Sequence, residues 1–171
     1  MTFDKYKNKY SGETCYIIGS GPSIHQFKPL DDGVYIGVNY SGIHVNIHDR
    51  LDYAFLEKVD TRKKLIEQLP SQATYFFNRE TACDIPLPHE KYSMNDLLSL
   101  GLMTYYDNNR VSSTAFHCIF FALHCGFNKI YLVGCDCTND GTIYPEYSSF
   151  THQSLIPGWI NLKKILYELH P

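Results

Sequence analysis

Between residues 114 and 125 the chain is apolar almost all the way round a helix: Ala115, Phe116, Ile119, Phe120, Phe121, Ala122 and Leu123 leave no wet face. A helix with that pattern has to be buried on every side. Ser112 and Ser113 supply cap candidates at its start, and Gly126 stops it. Soon after comes Lys129-Ile130-Tyr131-Leu132-Val133-Gly134, a near-continuous apolar run ended by glycine. Such a run suits a strand covered on both faces of a parallel sheet. A buried helix feeding a buried strand points to layered α/β architecture.

The rest of the chain repeats this alternation. Strands are expected at 14–18, 34–38, 52–56, 74–78 and 129–134, each a short apolar run ended by Gly, Asn or a polar turn. Ser23 opens a brief helical turn that must stop near Pro29. Further helices are expected over 60–69, 94–100 and 159–169, and a surface loop with two prolines over 79–92. No repeat or linker divides the 171 residues, so the expectation is one domain, 1–171. Its fold class is α/β: a Rossmann-like, doubly wound, mostly parallel sheet with helices on both faces.

Composition narrows the function classes. Apolar residues make up 44% and charged residues 19%, as in a globular protein. A net charge of −3 gives no electrostatic footprint for nucleic acid or an anionic membrane. No apolar run reaches the roughly 18 residues of a membrane span. The start, Met1-Thr2-Phe3-Asp4-Lys5-Tyr6-Lys7, lacks the apolar core of a signal peptide, so a cytoplasmic location is expected. Of the six cysteines, Cys15, Cys118 and Cys125 fall in apolar segments, Cys135 and Cys137 flank Asp136, and no CxxC pair exists. That usage suits reduced, structural thiols, without a zinc knuckle.

In doubly wound sheets ligands bind beyond the carboxyl ends of the strands, where strand order reverses. The first strand ends in Gly19-Ser20-Gly21-Pro22-Ser23. Two glycines allow close backbone approach, so amides can reach a phosphate, and Ser23 can cap the following turn. The same residues also make an ordinary strand-to-helix turn. A dinucleotide fingerprint fails, because position 24 is Ile24 rather than glycine, and Asn39 stands where a ribose-binding carboxylate belongs. No GxxxxGK[ST] is present either. Ser112, Ser113 and Thr114 can offer hydroxyls and amides to a phosphate or base, or serve only to cap the helix. Asp136 is placed either as a functional carboxylate or as a turn-capping aspartate. Asp136-x-Thr138-x-Asp140-Gly141 is not a calcium loop, since position twelve is Tyr147.

Among the histidines, His117 and His124 fall on the buried helix as core residues. His44 and His48 have the i, i+4 spacing of a metal pair, but no third ligand accompanies them and a structural role is expected. No metal site is assigned. His152, in the polar loop Ser148-Ser149-Phe150-Thr151-His152-Gln153, can titrate near neutrality and act as a general base.

Two blocks carry a resemblance. Gly19-Ser20-Gly21-Pro22-Ser23-Ile24 resembles the GNGPSL or GAGPSL opening of two related groups. One is the bacterial lipooligosaccharide sialyltransferases that use CMP-sialic acid. The other is the 6-hydroxymethylpterin diphosphokinase MptE-like family, with relatives in flagellin glycosylation. Asn109-Arg110-Val111-Ser112-Ser113-Thr114-Ala115 and 126–136 resemble their second shared block.

The resemblance implies that Gly21, Pro22, Ser23 and Asn39 contact a nucleotide and that Ser112, Ser113 and Thr114 lie near its base and ribose. It also implies a phosphate-holding Tyr144, with Thr138 at the companion tyrosine's position, Asp136 at the strand end and His152 as base. The implied function is a nucleotide-sugar-dependent glycosyltransferase of CMP type, with a glycan or small alcohol as acceptor and no tightly bound cofactor. Two alternatives stand beside it. One is an ATP-dependent diphosphokinase of the 6-hydroxymethylpterin type, in which Asp136 would help hold Mg2+; the other is a nucleotide-binding module without turnover. Homo-oligomerisation stays open. Only seven residues separate Tyr144 from His152, too few for the sialyltransferase lid, and relatives continue past His170-Pro171 into another strand, which implies a chain truncated at its C-terminus.

Overall fold

Short runs of β-branched and aromatic residues build the sheet. In the computed structural model, which describes residues 2–57, 63–78, 86–102, 113–137 and 155–169, they form β1 (Thr14–Ile18), β2 (Val34–Val38) and β3 (Leu51–Leu56). They also form β4 (Thr74–Asn78) and β6 (Lys129–Val133), with β5 (His89–Tyr92) preceding β6 in the chain. The strand order is β5-β4-β3-β2-β1-β6, and every neighbouring pair is parallel. The fold is therefore α/β and Rossmann-like, as the alternating pattern requires.

Side-chain alternation fills two cores. Cys15 and Ile17 of β1, Ile36 of β2 and Phe55 of β3 turn to one side. There they meet Phe116, Phe120 and Phe121 of α3 (Thr114–His124), and Leu162 and Ile165 of α4 (Ile156–Leu169). Tyr16, Ile18, Tyr35 and Ala54 turn the other way, toward Ile24, Tyr40, Ile47 and Ile66. Ile66 closes α1 (Lys63–Ile66), so helices cover both faces. The centre of the first core is Phe121, whose ring lies 5.1–5.6 Å from those of Phe3, Tyr6, Tyr53, Phe55 and Phe76. Offset and edge contacts of this kind add roughly 0.5–1.5 kcal/mol per pair beyond burial.

α3 starts and stops where its residues dictate. Ser113 has extended backbone, and its hydroxyl accepts a hydrogen bond from Ala115 N at 3.3 Å. At the other end Gly126 takes φ +83°, and Phe127 N donates back to Ala122 O at 3.4 Å, the six-to-one bond of a left-handed cap. α4 begins at Ile156, ahead of the expected 159, because Pro157 is tolerated in a first turn that needs no amide from it. The helix expected over 94–100 is α2 (Met94–Leu97) continued by a π-helical turn, Leu98–Leu102. The start of the 60–69 helix lies outside the described residues.

Two expectations need correction. His89–Tyr92, read as the end of a loop, is strand β5, paired in parallel with β4 at the sheet edge. Its sequence is polar because only Tyr92 is buried, against Phe3 and Phe55. β6 is not covered on both faces: it is the opposite edge among the described strands, with Tyr131 49% and Leu132 45% exposed. Stacking explains part of its apolar character. Tyr131 stacks on Tyr16 at 5.4 Å and Tyr16 on Tyr35 at 4.9 Å, a ladder that crosses three strands in register.

Candidate functional site at the carboxyl ends of β1 and β6

The chain runs outward from β1 to β5, then returns to place β6 on the other side of β1. Strand order therefore reverses between β1 and β6, and a doubly wound sheet opens its ligand crevice there. The segments leaving those two strands are Gly19–Ser23 and Gly134–Asp136.

Hydrogen bonds lace these segments together. Gly19 N donates to Val133 O and Gly21 N to Gly134 O, each at 2.7 Å. Gly134 N donates to Ser23 Oγ at 3.1 Å. Ser23 then gives both of its donors to one carboxylate: its amide to Asp136 Oδ2 at 2.8 Å and its hydroxyl to Asp136 Oδ1 at 2.5 Å. The approach explains the glycine at position 21, where a Cβ would stand 2.8 Å from Gly134 O and collide with the Asp136 carboxylate. Pro22 opens the 3-10 turn Pro22–Gln26, where its missing amide costs nothing.

This arrangement decides which donors remain. The amides of Gly19, Gly21 and Ser23 serve the protein's own acceptors, and the anion at the head of the Pro22–Gln26 turn is the Asp136 side chain. Ser20, half-buried between the glycines, makes no hydrogen bond with any described residue. Among the described residues, its amide and hydroxyl are the donors of this turn left without an acceptor.

Asn39 closes the neighbouring strand end. It adopts φ +55°, which asparagine tolerates better than most residues. Its amide N donates to Phe55 O at 2.8 Å, its Oδ1 accepts from Glu57 N at 2.9 Å, and its Nδ2 donates to Thr114 Oγ1 at 3.3 Å. Asn39 and Thr114 are thus brought together, tying β2 and β3 to the start of α3. Ser113 is the N-cap already described. Ser112, Thr138, Tyr144 and His152 lie outside the described residues.

Sequence reading overlooked Ser41, which is fully buried. Its hydroxyl donates to Ile18 O at 2.6 Å and accepts from Val38 N at 3.1 Å, joining the ends of β1 and β2 one residue before Gly19. Nothing in Tyr40-Ser41-Gly42 signals this, because the partner is 23 residues earlier. His117 is also close, with Nδ1 3.8 Å from Glu57 Oε1. Burial holds its pKa down to about 4 despite that carboxylate, so it is neutral near pH 7. Burial likewise pushes up both thiols beside Asp136, Cys135 to about 12. Neither is a thiolate nucleophile at neutral pH. His44 pairs with His25 rather than with His48, whose Nδ1 lies 3.0 Å from Asp49 Oδ1. Among the described residues no group of three His, Cys, Asp or Glu is placed to hold a metal ion, and no helix is long and apolar enough to cross a membrane.

Neither a known family model nor a curated protein matches the sequence. Among solved structures, the sialyltransferase CstII from Campylobacter jejuni in complex with a substrate analogue, cytidine-5'-monophosphate, is similar in fold. The TM-score is 0.50 at 18% identity, covering 78% of this chain and 66% of that one. The same enzyme in complex with CMP-3FNeuAc gives a TM-score of 0.49 at 15% identity, covering 75% of this chain and 66% of that one. The chain spans just under two thirds of the length of the enzyme it resembles.

Proposed function

We propose that this chain is a nucleotide-sugar-dependent glycosyltransferase-like protein related to the sialyltransferases, with a CMP-type donor as substrate and a glycan or small alcohol as acceptor. The observation that carries the reading is the laced pair of turns at the β1–β6 switch point, in a fold shared with an enzyme solved with cytidine-5'-monophosphate. In this reading Asp136 shapes the first turn rather than touching the donor. Ser20 presents its amide and hydroxyl to a phosphate oxygen, while Asn39 and Thr114 set the wall toward the nucleoside. Tyr144 would hold the leaving phosphate and His152 would take the proton from the acceptor hydroxyl.

The diphosphokinase reading asks Asp136 to help hold Mg2+. One lone pair on each of its oxygens is already taken by Ser23, and among the described residues no group of three His, Cys, Asp or Glu is placed to hold the metal with it. That weighs for metal-independent transfer.

The test is a thermal-shift series with CMP, CDP, UDP, ATP and GTP, followed by donor hydrolysis. A ligand at a hundred times its Kd stabilises the fold by about 2.7 kcal/mol. CMP and CDP are expected to raise Tm, with or without EDTA, and His152→Ala to slow CMP-sialic acid hydrolysis by about a hundred- to ten-thousand-fold while leaving the CMP shift in place. Stabilisation by ATP alone, and only with Mg2+, would overturn the reading in favour of diphosphate transfer. No shift with any nucleotide would remove nucleotide binding altogether.

A further inference from the structure

Two imidazoles from separate segments meet on the rim of the sheet's carboxyl end. His25 belongs to the Pro22–Gln26 turn and is exposed; His44 caps the 3-10 turn Ser41–Ile43 and is half-buried. His44 Nε2 lies 3.1 Å from His25 Nδ1, with ring centroids 5.0 Å apart and planes inclined at 59°. Two imidazole nitrogens bound to one tetrahedral zinc, each at 2.0–2.1 Å, stand about 3.3 Å apart. The facing nitrogens are therefore already within a few tenths of an ångström of a chelating separation, before any side chain moves. Burial, and then the neighbouring His25, lower the pKa of His44.

We infer that His25 and His44 form a two-imidazole site for a borderline divalent cation of the zinc class. Imidazole pairs suit Zn2+, Ni2+ and Cu2+, whereas Mg2+ and Ca2+ require oxygen ligands. In the cation-free protein Asn46 N donates to His44 Nδ1 at 3.3 Å, which puts the neutral ring's proton on Nε2, between the two histidines. Cation binding moves that proton to Nδ1 and frees Nε2, at the loss of two hydrogen bonds, the one from Asn46 N and the one between the two rings. No proton leaves the protein in this step. With no third His, Cys, Asp or Glu alongside among the described residues, the remaining positions are open to water or an added ligand. Occupancy would pin the end of the Pro22–Gln26 turn, whose beginning Asp136 already holds.

The test uses untagged full chain with Zn2+ by calorimetry and Cu2+ by electron paramagnetic resonance. The expected results are one site, an EPR signal with nitrogen coupling from two imidazoles, and a higher Tm with Zn2+. His25→Ala and His44→Ala should each weaken binding by at least about tenfold, and His48→Ala should leave it unchanged. Metal-free melting of each variant separates a lost ligand from a damaged fold. Equal Zn2+ affinity in the His25→Ala/His44→Ala double variant, or a Cu2+ signal with oxygen ligands only, overturns the proposal.

Discussion

Replacing Asp136 by alanine removes the acceptor of two hydrogen bonds at once. Ser23 N and Ser23 Oγ lose partners at 2.8 and 2.5 Å, and hydrogen bonds to a charged acceptor are worth about 1.5–3 kcal/mol each. Asp136 is only half-buried, so water re-solvates part of what is exposed and the net loss comes to about 2–3 kcal/mol. For a chain of this length that lowers Tm by about 5–10 °C. Asp136→Asn keeps one acceptor oxygen and should lose about half as much. Calorimetric melting and urea titration measure both, and the CMP-induced shift should disappear in the alanine variant, because the turn that presents Ser20 loses its anchor. An alanine variant melting within about 1 °C of the parent would show that backbone bonds alone hold the turn, and the reasoning would fail.

Two further outcomes follow from buried groups near the site. His117 titrates near 4 when folded against an ordinary 6.5, so as pH falls the unfolded chain binds the proton first; stability is present above about pH 6.5 and is lost down to about pH 4. At 1.36 kcal/mol per unit that is about 3 kcal/mol, and urea titrations of His117→Gln should lack this slope; an identical slope would assign it to other groups. Ser41→Ala leaves Val38 N and Ile18 O without their shared hydroxyl, and should cost about 1–3 kcal/mol by urea titration, with no change if water fills the gap.

Local chemistry made much of the fold legible. β1, β2 and β4 occupy the residues expected of them, because each apolar run meets a glycine, asparagine or turn that breaks it. Ser113 and Gly126 bracket α3 for the same reason. β5 was invisible because a polar edge strand with one buried side chain has no period to read. β6 misled because a tyrosine ladder uses apolar surface much as a covering helix does. At the site, the residue types were readable but their partners were not. Asp136 reads equally as a catalytic or a capping group until its contact with Ser23 is seen, and His44 has a tempting partner four residues away while its real one is 19 away.

The lacing of Ser23 to Asp136 also sets a clock. The two residues are 113 positions apart, and at roughly 5–20 residues per second a ribosome takes about 6–23 s to travel between them. For that interval β1 and the turn after it exist without the carboxylate and the carbonyl that give the turn its shape. The first element of the crevice to be made is therefore among the last to be finished, and nothing made before Gly134 can give it that shape. A nascent chain halted before Gly134 would carry the glycine turn without the bonds that shape it.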